Sequence, residues 1–120
     1  VMYEKGQGVA QDYAEAVRLY RMAAEHGEAN AQTNLGLLYA FGDGVAQDYA
    51  EAVRWYRMAA EQGYADAQYN LGTMYRSGKG VEQNYSQAKR WFRQSADQGY
   101  AAAQNEMASL ERSAASNIST

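Results

Sequence analysis

Cysteine and proline are both missing from the 120-residue chain, and histidine occurs once. Without cysteine there is no disulfide framework, no zinc-finger cluster and no thiol nucleophile. That absence fits any redox compartment. A basic excess is also missing: 11 Lys and Arg stand against 14 Asp and Glu, for a net charge of −3. Domains that hold nucleic-acid phosphates carry a clear positive balance, so no nucleic-acid partner is expected. No apolar run approaches the roughly 18 residues that span a bilayer, so no membrane insertion is expected either. What is present suffices for a core. With 47% hydrophobic and 21% charged residues, the chain is no disordered tail. Its length is that of one domain.

A period runs through that domain. Val9, Val45 and Val81 are 36 residues apart, as are Tyr13, Tyr49 and Tyr85, and Gly27, Gly63 and Gly99. Residues 1–36 and 37–72 share about 26 identities, and 37–72 and 73–108 share about 17. Self-similarity at such a period marks an array of about three stacked units, not a fold with one closed core.

Each unit reads as two helices, so the fold class is all-α. Asp48-Tyr49-Ala50-Glu51 is a variant of the capping box. In that motif the Asp48 oxygen takes a backbone N–H of the first turn, and Glu51 reaches back to the Asp48 N–H. Asp12/Glu15 and Asn84/Gln87 repeat it. Ala52, Val53, Tyr56, Ala59 and Ala60 then share one helical face, and Gly63 follows the last turn. This spacing predicts a helix B over 12–26, 48–62 and 84–98. Ala65, Ala67, Gln68, Leu71, Met74 and Tyr75 predict a shorter helix A over 29–41, 65–77 and 101–112. Helix A passes to helix B through Gly78-Lys79-Gly80-Val81: a stop, a tight reversal and an apolar plug. Gly36 and Gly72 lie inside helix A, where glycine costs up to about 1 kcal/mol against alanine. Their recurrence predicts close approach of a helix, with the Ala23-Ala24 or Ala59-Ala60 face of helix B as the candidate.

This unit resembles the Sel1-like repeat (SLR) family. The carriers are Leu71-Gly72-x-x-Tyr75, Gly42-Asp43-Gly44-Val45, Asp48-Tyr49, Trp55-Tyr56 and Ala59-Ala60-Glu61-Gln62-Gly63. The likeness covers nearly the whole chain. Tetratricopeptide repeats are similar, but have a 34-residue period and a proline after the second helix. The resemblance implies a right-handed superhelical solenoid of antiparallel helix pairs, with helix A on the concave face and helix B on the convex one. It also implies an adaptor or scaffold in a protein complex, often bacterial. Cysteine-rich secreted members form a branch this chain does not fit.

The ends of the array differ. Val1-Met2-Tyr3 aligns with Leu37-Leu38-Tyr39, so the first unit reads as truncated. A start there is expected to leave Val17, Tyr20 and their apolar neighbours uncovered, and to permit self-association through helix 12–26. The compartment is left open, because the true N-terminus reads as missing. At the other end Met107, Ala108 and Glu111 replace Leu-Gly-x-x-Tyr, which reads as a capping helix 101–112 followed by a frayed polar tail, 113–120.

Chemical motifs are sparse. Ser86-Gln87-Ala88-Lys89 matches the Ser-x-x-Lys of penicillin-binding proteins, which supports an alternative reading as a β-lactam-binding or acyl-transfer enzyme. The same columns hold Ala14/Val17 and Ala50/Val53, and no Ser-Asp-Asn or Lys-Thr-Gly partner exists, so no catalytic residue is assigned. His26 sits in a last helical turn, which suits the dipole, and lacks companion ligands. No metal or cofactor is implied. Arg18/Arg21, Arg54/Arg57 and Arg90/Arg93 read as a solvated face with local ion pairs. The recurring Tyr13, Tyr20, Tyr39, Tyr49, Tyr56, Tyr75 and Tyr85 are expected between helices, and Trp55 and Trp91 partly exposed.

The positions that break the repeat carry the functional signal. On helix A these are Asn30/Asp66/Ala102, Thr33/Tyr69/Asn105, Leu37/Thr73/Ser109 and Phe41/Ser77. They vary while the framework stays fixed, as a binding surface on a scaffold would. The expected site for a protein or peptide partner is therefore Asn30, Thr33, Leu37, Phe41, Asp66, Tyr69, Thr73 and Asn105, with Leu37, Phe41 and Tyr69 as apolar anchors. A purely architectural, self-associating array is the remaining alternative.

Overall fold

Alanine, leucine, glutamine and arginine fill the spans between glycines, and all favour helix. In the computed structural model, which describes the backbone of residues 7–119 and the side chains of 12–113, these spans form six helices. They are α1 (Gln7–Glu25), α2 (Ala29–Phe41), α3 (Tyr49–Glu61), α4 (Ala65–Ser77), α5 (Tyr85–Asp97) and α6 (Ala101–Ser119). Among the described residues all regular structure is helical. Helices α1, α3 and α5 are the three copies of helix B; α2, α4 and α6 are the copies of helix A.

The interior boundaries fall where the caps place them. Asp48 accepts the Glu51 N–H at 3.1 Å, and Asn84 accepts the Gln87 N–H at 3.0 Å. Only this half of the capping box forms. The Asp48 N–H already donates to the Tyr39 carbonyl at 2.9 Å, so Glu51 has no donor to return to and instead takes the Arg54 Nε at 2.8 Å. Both outer helices run longer than expected. Helix α1 passes through Gly8-Val9 without the turn seen in the later units, so Asp12 lies inside it and caps nothing. Glu15 pairs with Arg18, which holds the Glu15 carboxyl below the usual carboxylate range. Helix α6 continues past 112, because no glycine or proline follows Gly99 to stop it. The stretch 113–119 is therefore helix, not a frayed tail. Val1–Tyr3 and Thr120 lie outside the described residues.

The units stack along one axis into a rod of 56 × 30 × 27 Å. Glutamines stitch the successive helices. Gln32, Gln68 and Gln104 donate to the carbonyls of Ala24, Ala60 and Ala96 in the helix before. Gln62 and Gln98, from the following unit, then donate to the Gln32 and Gln68 oxygens at 2.8 and 3.0 Å.

The tryptophans are buried, contrary to expectation. Trp55 is 2% exposed and Trp91 3%. Trp55 fills a slot formed by Val17, Ala24, Ala31 and Leu35 of the unit before it. Trp91 packs with Val53, Ala60, Ala67 and Leu71, one unit on. Val17 is buried by that contact, so it is not part of an uncovered flank, and Tyr20 is half-buried. The apolar groups exposed on α1 are Tyr13, Leu19 and Met22. Tyr13 is 40% exposed and Tyr85 59%, unlike the part-buried Tyr49 of their column.

Two glycine columns fix how closely the helices approach. A Cβ on Gly36 would meet the Tyr56 ring at 2.6 Å, and one on Gly72 the Phe92 ring at 2.8 Å. The close partner is thus the aromatic of the following helix B, not an alanine pair of the preceding one. In the turns, Gly44 (φ 78°) lies against the Tyr13 carbonyl, where a Cβ would sit at 2.6 Å. Gly80 repeats this against Tyr49. Each reversal therefore needs glycine both for its left-handed backbone and for its contact with the unit before.

Candidate functional site

Because α2 and α4 occupy the same place in successive units, their matching faces lie side by side. Between their C-terminal halves and the start of α3 lies a groove of about 380 Å³. Leu37 and Phe41 of α2 form one wall, Asn70 and Thr73 of α4 the other, and Lys79 stands at the rim. Phe41 is 69% exposed, a high value for a phenylalanine. Tyr56 closes the floor, where burial pushes its phenol above the ordinary range and keeps it neutral. The one free cation among the named lining groups is the Lys79 ammonium, 5.3 Å from the centroid of the Tyr49 ring. Arg76 also lines the groove, but it is paired with Glu106 of α6. An apolar wall, an amide and a cation can together hold a peptide side chain and orient its polar neighbours.

Of the eight residues expected at the site, the groove gathers three: Leu37, Phe41 and Thr73. Asn30 and Asp66 are exposed at the opposite, N-terminal ends of α2 and α4, and Asn105 is exposed on α6. Thr33 is buried, and its hydroxyl donates to the Ala29 carbonyl at 2.9 Å. Tyr69 is half-buried, with its ring 5.7 Å from Phe92 and 5.4 Å from Tyr100. It holds α4 to α5 and to the α5–α6 link. Each aromatic pair contributes about 0.5–1.5 kcal/mol beyond burial. Tyr69→Ala is therefore expected to lower stability by about 1–3 kcal/mol in a urea titration, although Thr33 and Asn105 stand in the same column.

The groove also uses residues outside the expected set. Lys79 takes the column of Asp43, and Arg76 that of Ala40. Both columns break the repeat, so the signal was present in the turn and on the neighbouring face. Gln47 and Tyr49 belong to the fixed framework and carried no such signal.

Ser86 and Lys89 are both exposed on α5, one turn apart. The Gln87 amide beside them is already bound by Asn84. The arginines have local duties. Arg54 pairs with Glu51, and Arg90 is bonded to Gln87. Arg57 donates to the Tyr75 hydroxyl at 2.8 Å, and Arg21 makes the matching bond to Tyr39. Arg57 is thus a structural residue. His26 Nδ1 lies 2.8 Å from the Met22 carbonyl, at the end of α1. No described helix is long and apolar enough to cross a membrane.

Three stacked helix pairs on a fixed frame define a helical repeat solenoid. The family model of the Sel1 repeat matches residues 1–28, 29–64 and 65–100, and the chain belongs to that family. A protective antigen of uropathogenic Escherichia coli strains, displaying an SLR fold, is similar at 45% identity and a TM-score of 0.80. The match covers 85% of this chain and 22% of that one. A Sel1 repeat protein from Oxalobacter formigenes is 38% identical over 84% of this chain and 40% of its own, with a TM-score of 0.79. Helicobacter pylori cysteine-rich protein B is 28% identical over 74% and 67%, with a TM-score of 0.71. This chain spans less than half the length of the first two. No curated protein is a match. Sel1 repeats generally mediate protein interactions, and scaffolds of this kind are typically non-catalytic.

Proposed function

We propose that the chain binds an extended peptide segment of a partner protein in the groove between α2 and α4, on the concave face of the array. The observation that carries this reading is the exposure of Phe41 beside Leu37, on positions the repeat leaves free to vary. An exposed aromatic in a preformed groove gains most when a partner desolvates it. Lys79 at the rim favours a peptide with a carboxylate near its apolar anchor. The test uses peptides selected from a random display library on the immobilised chain. Phe41→Ala is expected to weaken the selected peptides by about 1–2 kcal/mol in calorimetric titration, with the melting temperature unchanged. Glu61→Ala, on the exposed side of α3, is the matched control. Unchanged affinity for Phe41→Ala would remove the groove as the site.

A further inference from the structure

The face that α2 presents to α4 is presented again by α4 to α6, and three columns across it change together. Ala40, Tyr56 and Asn70 mark the first copy; Arg76, Phe92 and Glu106 mark the second. The second copy is filled from within the chain. The Arg76 guanidinium pairs with Glu106 across the two helices and lies 5.5 Å from the centroid of the Phe92 ring. In the first copy Ala40 has no side chain long enough to enter that space. Ala40, Tyr56 and Asn70 line the open α2–α4 groove instead.

Two polar groups there are left without partners. Tyr56 is 2% exposed, and its hydroxyl makes no hydrogen bond to a described residue. A buried polar group in that state is costly until something binds it. Burial alone pushes the phenol up, so the hydroxyl keeps its proton and stays a donor. The Asn70 side-chain amide also bonds to no described residue, while the Asn70 backbone carbonyl takes the Thr73 hydroxyl at 2.7 Å. The charge around both is positive. Lys79 is free, Arg76 is balanced by Glu106, and no lining group is acidic. A cation would be repelled here, and a purely apolar group would leave both donors unmet. A carboxylate satisfies both donors and the charge.

We propose that the α2–α4 groove recognises a glutamate side chain of the partner peptide. Its carboxylate accepts from the Tyr56 hydroxyl and the Asn70 amide, while a neighbouring apolar residue packs on Leu37 and Phe41. This rests on the groove being the peptide site. The second copy shows that the space takes the end of a long side chain, which selects glutamate over a chain terminus. The Arg76–Glu106 pair occupies the matching space between α4 and α6, so among the described residues the glutamate has one place to bind.

Calorimetric titration of the 120-residue chain with peptides selected from the display library tests this. The selected peptides are expected to carry a glutamate beside an aromatic or aliphatic residue. Changing that glutamate to glutamine should weaken binding about tenfold, and amidating the peptide's C-terminus should not. Tyr56→Phe removes only the hydroxyl, and Phe92 shows that the column accepts phenylalanine, so the melting temperature should hold. It should weaken the glutamate peptide about tenfold and the glutamine peptide much less. Asn70→Glu, which copies Glu106, should weaken the glutamate peptide further and favour its lysine form. Three results overturn the proposal: selected peptides without an acid; Tyr56→Phe without effect, or with equal loss for the two peptides; or loss on amidation in place of loss on glutamate-to-glutamine exchange. If Phe41→Ala still weakens binding, such a result removes the carboxylate site alone. If Phe41→Ala is also silent, the groove goes with it.

Discussion

Gly72→Leu is expected to destabilise the array by about 2–3 kcal/mol and to lower the melting temperature by about 10 °C. Leucine is the better helix former, which by itself favours the substitution by up to about 1 kcal/mol. Packing decides the sign. The first added carbon would already lie 2.8 Å from the Phe92 ring, well inside van der Waals contact. Phe92 is fully buried and has Tyr69 against it, so the ring has no free space to enter. The helices must separate, and the loss extends to every side chain between α4 and α5. Thermal unfolding followed by circular dichroism measures the shift. A melting temperature at or above wild type would show that α4 does not approach Phe92 this closely.

Trp55→Ala should cost about 3–5 kcal/mol, the range for truncating a large aromatic in a core. The lower half of that range is the expectation, because the Trp55 indole N–H has no hydrogen-bond partner and its removal relieves an unmet donor. Trp55→Phe should therefore cost much less than Trp55→Ala. The loss falls on one interface, between the α1–α2 pair and α3. In a linear array each unit is stabilised mainly by its neighbours, so weakening one interface lowers cooperativity as well as stability. A urea titration should show both an earlier midpoint and a shallower slope. Leu19→Ala is a matched control in the same column. Exposed on the chain by itself, it should change stability by about 0.5 kcal/mol or less at dilute concentration. Equal effects at the two positions would contradict the stacking.

The repeat made most of the fold legible before any coordinates. Helices α2 and α4 fall at the expected residues because a left-handed glycine, Gly42 or Gly78, closes each of them. The errors share one physical source. A helical face read within one unit accounts for one buried flank, but a helix inside a stacked array has two. The tryptophans lie on the second flank, so from one unit alone they read as partly exposed. Tyr69 failed for a similar reason. Its column tolerates threonine and asparagine, and only Phe92 and Tyr100, from two later elements, give its ring a packing role. Local signals also misplace an end when no stop residue is present, as past Arg112. The candidate groove was half legible. Variation within the repeat singled out Leu37, Phe41 and Thr73, whereas Lys79 varies in the turn after helix A and Arg76 on another face of helix A itself.

Amide chemical-shift mapping most directly tests whether recognition lives on the varied positions of helix A. The 15N-labelled chain would be titrated with a peptide selected from the display library. The account predicts that the largest shifts cluster at Leu37, Phe41, Asn70, Thr73 and Lys79, and that Phe41→Ala abolishes them. Shifts confined to the outer side of α5, around Ser86, Lys89 and Arg93, with the α2–α4 groove silent, would contradict it.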